Sequence, residues 1–235
     1  VDRPGGRKQH EGTVPLIGGI VIILVYTIMG WLSGVSSLLP YWSFMSGVLF
    51  LLCVGAVDDR YQINAWVRFV IQIWVASYIV IFCGAEIEVL GNLFGVGEVN
   101  LGYFAKPFSV IALVLLMNAI NMMDGLDGLA GGYMAIAFTW IACAFYFSGY
   151  HASFWLIVLL LSPLCAFLSI NMRHPLRKKA GIFLGDAGAL ALGLLLGFFA
   201  IGAAKGSNVG QILLPVSILW IIGLPVLDAF SLFFV

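Results

Sequence analysis

Charge is scarce in this chain. Eleven acidic and eleven basic side chains among 235 residues cancel to zero. That leaves no electrostatic footprint for a nucleic acid, and the charges must be read by position. Histidine is scarcer still, with three, and the four cysteines (Cys53, Cys83, Cys143 and Cys165) show no paired spacing. A disulfide framework or a thiolate metal site is therefore disfavoured, and the thiols read as small buried side chains. The chain opens at Val1 with neither a methionine nor a signal peptide, and it stops at Val235 inside a hydrophobic run. Residues 1–235 read as one integral-membrane domain cut at both ends from a longer protein.

Apolar side chains are what the chain has instead: 62% of residues, with seven Trp and eighteen Phe, and a mean hydropathy of +1.09. This is the composition of a polytopic membrane protein. Runs of membrane-span length fall at roughly 15–32, 41–57, 66–83, 107–120, 129–148, 154–171, 187–204 and 212–234, predicting an all-α membrane bundle of about eight helices. The runs at 41–57 and 107–120 are short and end directly in acids, so their last turns are expected to line a polar cavity. Eight crossings alternate sides. The even-numbered connections and the amino-terminal segment then hold nine of the eleven Lys and Arg residues, leaving only Lys106 and Lys205 on the other side. The positive-inside rule places the even connections in the cytoplasm.

The same parity gathers acids on that face. The stretch Asn118 to Gly132 contains Asn121, Asp124 and Asp127 among Gly125, Gly128, Gly131 and Gly132. On one helix these polar residues would share about a third of the circumference; a polar inter-helix turn is the competing reading. Asp58 and Asp59 follow the second run, Asp186 precedes the seventh, and Asp228 lies near the inner end of the eighth. Two carboxylates about 5 Å apart repel by roughly 3 kcal/mol at an effective dielectric near 20, so five together call for a cation. Hard oxygen donors select Mg²⁺, or alternatively Mn²⁺, over Zn²⁺, and Mg²⁺ shares its shell with phosphates. A proton or ion pathway is the rival use of such acids, but it leaves the basic loop Arg173–Lys179 unexplained. That loop leads into Gly181-Ile-Phe-Leu-Gly-Asp-Ala-Gly188 and is read first as a topology determinant, second as an anion site. The outer stretch with Glu86, Glu88 and Glu98 reads as a solvated loop, and His151 as a surface residue. Gly193 and Gly197 form a small-xxx-small pair for close helix packing.

Taken together, Gly12-Thr-Val-Pro-Leu-Ile-Gly-Gly19, Asp58-Asp-Arg-Tyr-Gln-Ile63, Asn118 to Gly132 and Phe183-Leu-Gly-Asp-Ala-Gly188 resemble the polyprenyl-phosphate N-acetylhexosamine-1-phosphate transferases of the glycosyltransferase 4 type. The matches occur in family order over nearly the whole chain. The resemblance implies Mg²⁺-dependent transfer of a sugar 1-phosphate from a UDP-amino sugar to undecaprenyl phosphate, releasing UMP, at the cytoplasmic face of a bacterial inner membrane. In the branch that uses UDP-MurNAc-pentapeptide, a lysine usually stands where this chain has Gln62. The acid-pair segment and the Gly-Asp-Ala-Gly form look more like the UDP-GlcNAc branch, which starts enterobacterial common antigen, O-antigen or teichoic acid linkage. A homodimer is compatible with this reading.

Carried over by position, the resemblance makes Asn121 and Asp186 the metal ligands. Asp58 and Asp59 become the paired acids at the lipid phosphate, with Asp124 and Asp127 completing the polar site. Phe183 matches a position that stacks on uracil, and Asn171 one that contacts the nucleotide, although the loop between them is longer than in the peptidoglycan branch. Lys8, Arg68 and the Arg173–Lys179 run are candidate phosphate partners. The family also carries a histidine-rich cytoplasmic loop beyond the last segment here, so residues 1–235 alone are expected to be inactive or weak. Direct attack by the lipid phosphate is favoured over an aspartyl-phosphate route through Asp59 or Asp58, because a phosphate monoester is already largely dianionic at neutral pH.

Overall fold

The computed structural model describes residues 14–34, 41–92, 95, 97–173, 179–205 and 212–232. Eight α-helices account for nearly all of it: α1 (Gly18–Leu32), α2 (Tyr41–Tyr61), α3 (Ala65–Phe82), α4 (Ala105–Met123), α5 (Leu129–Phe147), α6 (His151–Asn171), α7 (Gly185–Lys205) and α8 (Pro215–Leu232). In the loop between α3 and α4, Val89 and Asn100 form an isolated antiparallel bridge. The helical bundle and its eight segments agree with the hydropathy reading. Helices α2 to α7 are long and apolar enough to cross a membrane, whereas α1 and the apolar part of α8 are shorter than that. The first run shortens because Pro15 to Ile17 do not join α1; the Phe183 N–H donates to the Pro15 carbonyl instead (3.0 Å).

The chain is a multi-pass membrane protein organised around α7. In its apolar window 83% of residues are buried, against 28% for α3 at the edge. α7 can sit at the centre because its sequence, Gly-Asp-Ala-Gly-Ala-Leu-Ala-Leu-Gly, is built from small residues that let neighbours approach. A β-carbon on Gly188 would lie 2.5 Å from the Gly19 Cα, and one on Gly193 would lie 2.9 Å from the Met117 Cα. One on Gly197 would meet Leu113 at 2.5 Å. Gly193 and Gly197 thus seat α4, Gly188 seats α1, and Ala187 lies against Gly55 of α2. Large apolar side chains are exposed at the periphery, Trp66, Trp140, Phe147 and Trp220 among them, as suits a lipid-facing surface. The cysteines correct the expectation of burial: all are free, and Cys53 and Cys165 lie on this outward surface.

Proline inside α6 (Pro163) and α8 (Pro225) is tolerated in a packed membrane bundle, where neighbours re-satisfy the freed carbonyl. Two amides meet in the apolar layer between α3 and α4. Asn118 Nδ2 donates to Gln72 Oε1 at 2.5 Å, and Gln72 Nε2 donates back to Asn118 Oδ1 at 3.4 Å. Pairing removes the cost of burying each amide alone, and it sets the register of α3 against α4.

Candidate active site

The two short apolar runs do not stop at their acids. α2 continues through Asp58 and Asp59 to Tyr61, and α4 continues through Asn121 to Met123. α4 then ends at Asp124, and α5 does not begin until Leu129. This corrects the expectation that Asn121, Asp124 and Asp127 share one helical face. Asn121 is helical, whereas Asp124 and Asp127 belong to an inter-helix turn. Gly128 closes that turn at φ 80°, a left-handed conformation that costs glycine little, and its N–H donates to Asn171 Oδ1 at 2.7 Å.

The turn, the α2–α3 corner and the start of α7 lie at the same end of the bundle. Arg68, in the first turn of α3, contacts Asp58 Oδ2 at 2.6 Å and Asp186 Oδ2 at 3.1 Å. Asp58 Oδ1 accepts the Ile63 N–H at 2.8 Å. Asp59 Oδ1 and Oδ2 accept the backbone N–H groups of Asp186 (2.9 Å) and Ala187 (3.4 Å). Arg173 Nε lies 2.6 Å from Asp127 Oδ2. The protein's own guanidinium groups therefore neutralise much of what the sequence left to a metal ion. Among the described residues no three acids, histidines or cysteines stand close enough to cage an ion. The picture of five carboxylates around one cation is corrected to a smaller donor set.

The candidates for that set lie on α4, on the turn and on α7. Asn121 Oδ1 is buried with no hydrogen-bond partner among the described residues, which is costly unless a ligand occupies it. Asp124 lies three residues on. Burial first, and then the charges of Asp186, Asp59 and Asp127, push its carboxyl up to about 7. Asp186 is partly open, its side chain 43% exposed. The antiparallel contact that sets Gly193 against Met117 brings the end of α4 toward the start of α7. An amide oxygen and carboxylate oxygens are the donors that Mg²⁺ takes, one or two of them alongside waters and substrate phosphates, so the residues fit such an ion.

Asn171 is buried and both ends of its amide are committed to backbone, Oδ1 to the Gly128 N–H and Nδ2 to the Ile182 carbonyl at 2.8 Å. It ties the acidic turn to the strand-like segment that carries Phe183. Phe183 is half-buried, and its carbonyl accepts the Gly18 N–H at 3.0 Å while the Leu184 carbonyl accepts that of Gly19 at 2.9 Å. The glycine-rich lead-in to α1 and the Phe183–Gly188 motif are thus one structural unit, which their separation in sequence concealed. Lys8 and residues 174–178 of the basic loop lie outside the described residues. Asp228 is exposed on α8, and its carboxylate makes no hydrogen bond or ion pair among the described residues. The role of Asp59 at the start of α7 was not legible in sequence. The one available signal was that Leu184, immediately before α7, cannot accept a hydrogen bond through its side chain.

The fold and this end together define a multi-pass membrane protein that presents hard oxygen donors and guanidinium groups at the edge of an apolar bundle. The family model described as glycosyl transferase family 4 matches residues 41–204, and the chain belongs to that family. It is 30% identical over 237 residues to the undecaprenyl-phosphate alpha-N-acetylglucosaminyl 1-phosphate transferase of Escherichia coli K12, covering 100% of this chain and 63% of that protein. It is 33% identical over 229 residues to a probable undecaprenyl-phosphate N-acetylglucosaminyl 1-phosphate transferase of Bacillus subtilis, covering 97% of this chain and 62% of the relative. The chain therefore spans a little under two thirds of the length of the curated relatives it matches.

Proposed function

We propose that this chain is the catalytic membrane part of an enzyme that transfers GlcNAc-1-phosphate from UDP-GlcNAc to undecaprenyl phosphate and releases UMP. The site would face the cytoplasm of a bacterial inner membrane, where a water-soluble nucleotide sugar and an acceptor with a hydrocarbon tail can meet. The observation that carries this reading is the buried Asn121 Oδ1, unpartnered among the described residues, at the end that also holds Asp124 and Asp186. The names of the relatives support the choice of substrates. A groove of about 670 Å³ between α5 and α8, lined by Tyr133, Ile136, Trp140 and Trp220, gives an isoprenoid chain an apolar path beginning one turn past the acidic turn. The rival reading as a transporter is not supported, since the described acids gather at the two ends instead of stepping through the membrane.

In the mechanism, an oxygen of the lipid phosphate attacks the β-phosphorus of the UDP-sugar, and the bond from that phosphorus to the UMP oxygen breaks. Asn121 and Asp186 would hold a divalent ion, which when bound supplies Lewis-acid neutralisation of the diphosphate oxygens. Asp124, its carboxyl raised toward neutrality, can hold or accept one proton at its oxygen near the acceptor. Little base is required, because the second pKa of a phosphate monoester is about 6. Phe183 would stack on the uracil ring. Arg68 and Arg173 keep the carboxylates Asp58, Asp186 and Asp127 in fixed orientations.

The full-length protein with radiolabelled UDP-GlcNAc, undecaprenyl phosphate and Mg²⁺ tests the proposal. Labelled lipid and free UMP should form in equal amounts and vanish in Asp186→Asn. Transfer only from UDP-MurNAc-pentapeptide would move the protein to the peptidoglycan branch, and no transfer from either donor would end the reading.

A further inference from the structure

We infer that Asp59 is a positioning residue: it caps α7 from another helix and so fixes Asp186, with Asp58 and Arg68 holding the Asp186 carboxylate from the other side. This rests on the proposal above that Asp186 meets the cation. A helix leaves its first N–H groups without partners, and in α7 they belong to Asp186 and Ala187 and their neighbours. The residue preceding the helix, Leu184, has no acceptor in its side chain. Asp59, 127 residues earlier in the chain than Asp186, supplies both acceptors, one oxygen to each N–H. A negative charge at a helix N-terminus is also favoured by the helix dipole.

The second half of the grip runs through Asp58. Its two oxygens are taken by the Ile63 N–H and by Arg68, and the same Arg68 nitrogen reaches Asp186 Oδ2. Asp186 is thus held at its backbone by one acid of the pair and at its carboxylate, through an arginine, by the other. The carboxylate of a nucleophile has to present a free oxygen to phosphorus. All four oxygens of this pair point at protein donors, and Asp58 is only 4% exposed. Gly185 completes the device. It sits at φ 78°, and a β-carbon there would lie 2.8 Å from Asp59 Oδ2. A side chain at 185 would therefore push the capping carboxylate away while leaving every acid in the sequence.

Partners that orient a metal ligand typically change affinity 10–100-fold when removed, and that sets the test. Manganese(II) binding to the full-length protein in lipid nanodiscs is measured by electron paramagnetic resonance, alongside KM for donor and acceptor. Asp59→Ala should weaken manganese binding about 10–100-fold and leave KM for undecaprenyl phosphate unchanged. Asp59→Asn keeps one acceptor oxygen and should fall between. Gly185→Ala, with both acids intact, should follow Asp59→Ala. Where Asp59→Ala does not purify as a monodisperse protein, the Asn and Gly185 variants carry the test. Wild type that binds manganese and transfers, with Asp59→Ala binding as tightly but inactive, overturns the positioning role and returns Asp59 to direct chemistry. Trapping of labelled phosphate on Asp59 from donor alone would do the same. Wild type that neither binds manganese nor transfers overturns the function, and the inference with it.

Discussion

At the α2–α3 corner each carboxylate oxygen of Asp58 and Asp59 meets a protein donor. At the end of α4 the situation is reversed. Among the described residues the buried Asn121 Oδ1 has no partner and the Asp124 carboxylate accepts no hydrogen bond, while burial first and then three other acids raise its pKa. Both corners are acidic, yet one is already saturated by the protein and the other is not. Saturated acids hold a scaffold in register, whereas acceptors left open in a low-dielectric place are costly until a ligand takes them. On the proposal made here, the α2 pair serves architecture and the α4 end the chemistry.

Substitutions on the two sides should therefore separate stability from activity. The largest effect is expected on the open side. Asn121→Ala should lower the transfer rate at least about 100-fold, the scale of a few kcal/mol of transition-state stabilisation, with a thermal midpoint close to wild type because the Oδ1 has no hydrogen bond to lose among the described residues. A large drop in midpoint would mean that the amide has a structural partner. Protonation sharpens the contrast next. In the folded state the Asp124 carboxyl titrates at about 7, against 3.8 when unfolded, so the folded protein holds a proton that the unfolded chain has released. Stability from this group is fully present below about pH 4 and is lost as pH rises toward 7, by a few kcal/mol at most. Metal-free protein should thus melt at a lower temperature at pH 8 than at pH 5, and Asp124→Asn should flatten that slope. An unchanged slope would place Asp124 in water.

On the saturated side the readout inverts. Asn171→Leu leaves the Gly128 N–H and the Ile182 carbonyl unpaired and should cost about 1–3 kcal/mol of stability, measured as a lower melting temperature. Substrate affinity should fall only as far as the acidic turn and Phe183 lose their alignment. A selective rise in KM for the nucleotide with no change in melting would instead make Asn171 a direct contact. The smallest effect belongs to the far end of the bundle. Lys205 and Glu88 pair at 3.0 Å, with both side chains substantially exposed. Exposed pairs contribute about 0.2–1 kcal/mol, and Lys205→Ala should be almost silent in both assays.

How much of this the sequence reveals depends on the kind of interaction. Hydropathy located all eight helices, since burial in lipid leaves a long apolar run for each. Spacing of small residues located the α7 packing surface, as Gly193 and Gly197 against α4 demonstrate. The acids were found as a group because charge is rare in such a chain. Their roles were harder to read, since Asp58 and Asp59 are neighbours in sequence but face different partners brought by α3 and α7. The break of α4 at Asp124 was also hidden. Spacing of three residues fits a helical face and a glycine turn equally well, and only the left-handed Gly128 and its bond to Asn171 decide between them. Neutralisation by Arg68 and Arg173 is long-range, and composition carries no trace of it.

The most direct check on the central claim is a manganese titration of three full-length proteins: wild type, Asn121→Ala and Asp186→Asn. One saturable site in the wild type, weakened in each variant separately, is the predicted result. Binding that survives unchanged in both variants would contradict a cation held between the end of α4 and the start of α7.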